Sequence, residues 1–100
     1  MEVEVRIYKN RMELSAANRL IHVQSDSPFS TTRLLVGEFH PAVDCLKRGL
    51  DEIGAFGIFK RKPTLLIRTM ELNSGGLSAV ERRCLLEVGS AAGASRVEVG

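Results

Sequence analysis

The hydrophobic period of this chain changes along its length, and that change constrains the fold more than any motif. In "VEVRIYKNRMEL" (residues 3–14), Val3, Val5 and Ile7 alternate with Glu4, Arg6 and Tyr8, and Met12 and Leu14 resume the alternation. A period of two belongs to a strand with one buried face. Lys9-Asn10 supplies a two-residue turn, because Asn tolerates positive φ. The pattern predicts a β-hairpin. "RLIHVQ" (19–24) reads as a third strand, after the small-residue link Ser15-Ala16-Ala17-Asn18. "SDSPFSTT" (25–32) is turn chemistry, and "RLLVGEF" (33–39) fits either a short strand or an extended lead-in.

The period then lengthens. Pro41 suits the first turn of a helix, where its missing N–H costs nothing. Val43, Leu46, Leu50 and Ile53 recur at three- and four-residue spacing, with Asp44, Lys47, Arg48, Asp51 and Glu52 on the other faces. This predicts an amphipathic helix ending near Gly54. "TLLIRT" (64–69), introduced by Pro63, is too short for a helix and lacks strict alternation. It reads as a strand covered on both faces, as in parallel sheets.

Residues 72–99, "LNSGGLSAVERRCLLEVGSAAGASRVEV", give loop, helix, turn and strand. Ser78 and Glu81 form an S-x-x-E capping box, in which the hydroxyl takes the amide of Glu81 and the carboxylate returns to the amide of Ser78. Val80, Cys84, Val88 and Ala92 make the expected inward stripe, leaving Glu81, Arg82, Arg83 and Glu87 in water. Gly93 is placed for a left-handed C-terminal cap, and Arg96 to Val99 alternate again. The order β-β-β-(β)-α-β-α-β predicts an α/β (α+β) fold in a single domain, 1–100. An N-terminal meander is followed by α-β-α-β, giving a mixed sheet with helices against it.

Composition excludes little. Apolar residues make up 44% of 100 and the net charge is only +2, so no global field points to nucleic acid or a membrane. The alternation of acid and apolar residues in "MEVEVRIY" argues against a signal peptide, and no apolar run approaches the roughly 18 residues of a membrane span. A soluble cytoplasmic protein without membrane insertion is expected. Cys45 and Cys84 lack CxxC spacing and read as reduced core thiols rather than ligands or a disulfide. Cys84 shares the stripe of Val80 and Val88, whereas Cys45 borders that of Val43, Leu46 and Leu50, so Cys84 is expected to be the better protected. His22 and His40 stand near no Cys, Asp or Glu at ligand spacing, and no metal site is predicted.

Three stretches hold residues suited to binding chemistry. Asn73-Ser74-Gly75-Gly76 before a helix N-terminus could offer amides to an anion. The Lys and full glycine spacing of a P-loop are missing, and Ser78 and Glu81 occupy two of the amides. The stretch reads as a cap. Lys60-Arg61-Lys62 beside Phe56 and Phe59 could hold single-stranded nucleic acid; three charges on a nearly neutral domain favour a solvated loop with its phenylalanines tucked inward. Arg82 and Arg83 read as an exposed helix face.

The segment "KPTLLIRTMELNSGGLSAVERRCLLEVGSAAGASRVEV" resembles the bacterial actin-like rod-shape proteins of the MreB family. The resemblance is carried by Ser78, Val80, Glu81, Arg82, Arg83, Ala92, Gly93, Ala94, Arg96, Val97 and Val99. Upstream, "VRIYKNRMELSAANRLIHV" is similar to that family's second and third strands, and "VGEFHPAVDCLKRGLDEI" to its first crossover helix. The resemblance implies a single actin-like, ribonuclease-H-like subdomain. The family's Asp-x-Gly-Thr phosphate loop, catalytic residue and second phosphate loop all lie outside the stretch matched here, so no residue of its ATP site carries over and no nucleotide or other cofactor is expected. Ribonuclease-H-like enzymes use carboxylates on the first and fourth strands; Glu2, Glu4, Glu13 and Glu71 show no such pattern, and no catalytic residue is assigned. The expectation is a non-catalytic interaction or accessory protein that binds itself or an actin-like partner, with Lys60, Arg61, Lys62, Arg82 and Arg83 as a weak candidate surface. A sheet ending at "RVEV" and starting at "VEVRIY" is expected to leave exposed edges, which can pair with another chain. The alternative is a small nucleic-acid-binding module using the 60–62 loop.

Overall fold

The alternating segments pair as a meander. β1 (Glu2–Tyr8), β2 (Arg11–Ala16) and β3 (Arg19–Gln24) form antiparallel ladders, with Val5 opposite Leu14 and Leu14 opposite Ile21. The computed structural model describes residues 1–31, 34–56, 61–71 and 76–100. Tyr8 pairs with Arg11 across the two-residue turn Lys9-Asn10, where Asn10 takes φ 56°. The second turn is tighter than the sequence suggests. β2 runs through Ala16, and only Ala17 and Asn18 turn the chain, both left-handed at φ 48° and 66°. Two successive positive φ values match the right-handed twist of the flanking strands.

Two parallel crossovers follow. α1 (Phe39–Ile53) leads to β4 (Thr64–Thr69), and α2 (Ala79–Ala91) leads to β5 (Arg96–Val99). β4 lies parallel to β1 and β5 parallel to β4, giving the sheet order β3-β2-β1-β4-β5. This is the mixed α/β architecture that the change of period predicts. No helix among the described residues is long and apolar enough to cross a membrane.

One side of the sheet carries the core. Val3, Val5, Ile7, Met12, Leu14, Val23, Leu65 and Ile67 meet Ala42, Cys45, Leu46 and Leu50 of α1 and Leu85 and Val88 of α2 in one cluster. Both helices lie on this side. A Cβ on Gly49 would stand 3.0 Å from Leu14 and Val23, and one on Gly89 would stand 2.7 Å from Val97, so each helix approaches the sheet through a glycine. The expectation that residues 64–69 are covered on both faces is therefore wrong. Leu66 is only half-buried and Arg68 is exposed. A lone leucine among charged neighbours filled the gap in the alternation and imitated a doubly buried strand.

The ends of the helices follow the sequence. Ser78 Oγ accepts from the Glu81 amide at 3.1 Å, and Glu81 Oε1 accepts from the Ser78 amide at 3.4 Å. Gly93, at φ 109°, ends α2 in a left-handed turn. Its amide reaches Ser90 O while the Ala94 amide reaches Gly89 O, the paired bonds of a Schellman motif. α1 starts at Phe39, with Pro41 in its first turn and no side-chain cap on Glu38.

The inward stripe of α2 needs correction. Val80 is 78% exposed, Cys84 is half-buried, and the buried positions are Leu85, Val88, Gly89 and Ala92. Residues spaced by four advance 400° on a helix of 100° per residue, so each step drifts 40°. A stripe of 80, 84, 88 and 92 thus starts in solvent and reaches the core only at its end. The thiols change places for the same reason. Cys45 is fully enclosed, its Sγ 3.6 Å from Val23 O, while Cys84 is partly open.

Residues 34–38 form no strand; Leu35 is buried and Phe39 opens α1. Phe29, inside what reads as turn chemistry, is completely buried and is the largest enclosed side chain among the described residues. Its carbonyl accepts from the amides of Gly37 and Glu38, and its amide donates to Asn10 Oδ1 at 2.9 Å.

Candidate interaction surface

The face of the sheet away from the helices carries a grid of charges. Even-numbered positions of β1 point there, and the register sets their neighbours. One row runs Leu20, Ser15, Glu4, Leu66 and Glu98; the next runs His22, Glu13, Arg6 and Arg68. Glu4 lies 2.6 Å from Arg6 and 3.7 Å from Arg68, Glu13 lies 3.3 Å from His22 Nδ1, and Glu98 lies 3.1 Å from Arg96. Arg11 stacks 3.9 Å above the Tyr8 ring, a cation–π contact. A hydrogen bond to the Glu13 carboxylate, then desolvation, raises the pKa of the Tyr8 hydroxyl. Charge is thus paired within the surface, which suits a solvated or docking face.

Of the four carboxylates Glu2, Glu4, Glu13 and Glu71, the mid-strand Glu4 and the late Glu71 do not converge. Glu4 sits mid-strand on the open face, whereas Glu71 accepts the Lys9 amide beyond the end of β1. Five residues of strand, roughly 16 Å, separate Glu4 from Lys9. Among the described residues, no group of three His, Cys, Asp or Glu side chains is arranged to hold a metal ion.

The candidate basic residues also separate. Lys60 lies outside the described residues, as do Phe59 and Asn73 to Gly75. Arg61 and Lys62 are exposed at the entry to β4, and Ser95 Oγ bonds Lys62 O there. Arg82 sits at the far end of β5, its Nη1 donating to Val99 O at 2.7 Å. Arg83 lies 3.7 Å from Glu87, four residues on. Phe56 is half-buried and packed on the core, within about 3 Å of where a Gly93 Cβ would stand, so its ring is unavailable for stacking on a base. Gly76 is exposed with φ 85°, and the cap behind it is closed by Ser78 and Glu81.

Each edge of the sheet carries a helix arginine on one strand carbonyl. At β3, Arg48 Nη2 of α1 reaches Gln24 O at 2.8 Å. The Ser25 amide on Asn10 O sets the odd residues of β3 toward β2 and turns the main chain of Leu20 and His22 outward. Cys45 Sγ meets Val23 O from the helix side. In return, Arg19 binds the α1 carbonyls of Glu52 and Ile53. At β5 the ladder itself shows which groups face outward. The Thr64 amide reaches Met1 O and the Met70 amide reaches Ile7 O, so even residues of β4 bond β1 and odd residues face β5. With Leu65 opposite Val97 and the Gly100 amide on Ile67 O, residues 96, 98 and 100 turn their main chain inward. Val97 and Val99 therefore turn their N–H and C=O groups outward. Arg82 occupies Val99 O. Val97 offers both of its groups at the edge.

Sequence reasoning singled out Arg82 but not its role. Of the two edges it expected, "RVEV" is one, as β5, whereas "VEVRIY" is β1 in the middle of the sheet, flanked by β2 and β4. The signal for which groups of β5 face outward is a register between strands some thirty residues apart, which no local pattern contains. The chain matches no model of a known protein family and no curated protein.

Proposed function

We propose that the chain is a non-catalytic interaction module, related in architecture to an actin-like subdomain without a nucleotide site, that binds a second protein chain through its sheet. The observation that carries this reading is the β5 edge, where Val97 presents an unoccupied donor and acceptor beside charged and apolar residues in alternation. An exposed edge of this kind is a template for strand addition. The paired charges of the open face support the same reading, because they leave a preformed polar surface continuous with the edge. The strand order, a meander followed by two parallel crossovers, supports the architectural resemblance.

The proposed partner is an actin-like protein or a second copy of the chain. Co-sedimentation with polymerised bacterial actin-like filaments tests the first. Retention in the filament pellet that is lost on changing Val97 supports the reading; a chain left in the supernatant at all filament concentrations refutes filament binding. A gel shift with single-stranded DNA or RNA runs beside it. Affinity that falls steeply with salt and depends on Arg61 and Lys62 would replace this reading with nucleic-acid binding.

A further inference from the structure

We infer that two copies of the chain join β5 to β5 across a two-fold axis through Val97, building one continuous sheet. The inference rests on the interaction reading above and names its partner. The two-fold axis runs perpendicular to the sheet, so open face meets open face and helix layer meets helix layer. Residues opposite one another must then point the same way, which requires the two residue numbers to sum to an even value.

Two registers satisfy this with more than one opposing pair inside β5. In the first, Val97 stands opposite Val97 of the other copy, and Arg96 and Glu98 stand opposite Glu98 and Arg96. In the second, Glu98 faces Glu98, and Val97 faces Val99. Like charges directly opposite destabilise a strand pair, while opposite charges stabilise it. The second register also needs the Val99 carbonyl, which Arg82 holds at 2.7 Å. The first needs only the Val97 N–H and C=O, the outward groups that the ladder leaves free. Charge and hydrogen bonding select the same register.

Around the axis, the Val97 pair exchanges two main-chain bonds. The Arg96–Glu98 pair already formed in each copy, 3.1 Å apart, becomes half of a four-charge cluster on the open face. On the helix side, Val97 lies directly under Gly89 of α2, so the two valines meet beneath the helix layer. The contact is small, and a weak, reversible dimer is expected rather than a permanent one.

Sedimentation equilibrium of the full chain from about 10 µM to about 1 mM tests this. The wild type is expected to follow a monomer–dimer equilibrium. Glu98→Arg and Arg96→Glu should each weaken dimerisation about tenfold or more, because each turns two attractive pairs repulsive. The double exchange Arg96→Glu with Glu98→Arg should restore it to within about threefold, since opposite charges again face each other. Val97→Pro removes an outward donor at an edge position where proline is tolerated and should abolish the dimer; because Val97 also packs under Gly89, a lowered thermal melt is expected beside that loss. If that variant fails to fold, the charge exchange still decides. A wild type that stays monomeric, or single reversals that dimerise as well as the wild type, overturns the inference. A monomeric wild type that still co-sediments with filaments removes only self-pairing, whereas a dimer that ignores filaments removes only the filament partner.

Discussion

The two helices lie on the same face of the same sheet, yet they are held there by different means. α1 buries seven of its fifteen residues and is fixed by apolar contact along its whole length, with no side-chain cap at its start. α2 buries three of thirteen and adds the Ser78–Glu81 box at its start, while both helices end in a left-handed glycine turn, at Gly54 and Gly93. A helix with a broad buried stripe can dispense with a cap, because tertiary packing supplies most helical stability. A helix with a narrow stripe needs its terminal amides and carbonyls satisfied.

The largest contrast should appear in the thiols, one on each helix. Burial pushes the Cys45 thiol from 9.0 up to about 11; burial, with Glu87 adding to it, raises Cys84 as well. A thiol pKa of about 11 in place of 9.0 lowers the thiolate fraction about a hundredfold at neutral pH. Native Cys84 should therefore react with a thiol reagent far faster than Cys45, which should label only on unfolding. Mass spectrometry of partially labelled protein reads the order directly, and equal rates would erase the distinction drawn between the helices. The pH dependence has a defined sign. Folding raises the Cys45 pKa, so its contribution is complete below pH 9 and is lost as pH rises towards 11. Over that window, Cys45→Ala should lose stability less steeply than the wild type in denaturant melts.

Core truncations should rank the helices next. Leu46→Ala removes a fully enclosed side chain and should cost about 3–4 kcal/mol. Leu85 borders a small apolar recess beside Leu34 and Leu77, so its surroundings can relax, and Leu85→Ala should cost about 2 kcal/mol. The reverse order in chemical denaturation would show that α2, not α1, carries the core. Ser78→Ala should cost about 1 kcal/mol through one lost amide partner; no measurable change would mean that α2 does not depend on its cap. Val80→Lys should fall within about 0.5 kcal/mol of zero, because Val80 is 78% exposed and surface changes away from special features have small effects. A large loss there would restore the stripe of every fourth residue.

The same contrast explains what could be read from the residues. The β1–β2 hairpin, α1 and both ends of α2 were legible because each is settled within a few residues: alternation, a mixed three- and four-residue stripe, a cap, a left-handed glycine. The orientation of α2 was not, since its core side is chosen by Val97 and Ile67 lying under Gly89, and a helix with alanine, valine and cysteine scattered around it offers several plausible stripes. Leu66 misled in the same way, its environment being set by Glu4 and Glu98 on neighbouring strands. At the candidate surface, the exposure of Arg82 was legible. An edge at "RVEV" was legible too, but the Arg82 bond to Val99 O, the outward turn of the Val97 main chain and the central place of β1 were not, because all depend on which strand lies beside which.

Asn10 connects these local and distant levels. It turns the first hairpin, its carbonyl accepts the Ser25 amide, and its side-chain oxygen accepts the amides of Phe29 and Ser30 at 2.9 and 2.8 Å. The turn is thus a template on which residues 25–30 are laid down, and a template must exist before its copy. Hairpins close in about 1–10 µs, so β1 and β2 are expected to be paired in the folding transition state while Phe29 is still in water. Kinetic dissection should then divide the two residues cleanly. Met12→Ala should slow refolding, whereas Phe29→Leu should leave refolding nearly unchanged and accelerate unfolding. The longevity of the native state would accordingly be governed by a phenylalanine in a serine-rich connection, and the speed of its formation by the strands on which that connection rests.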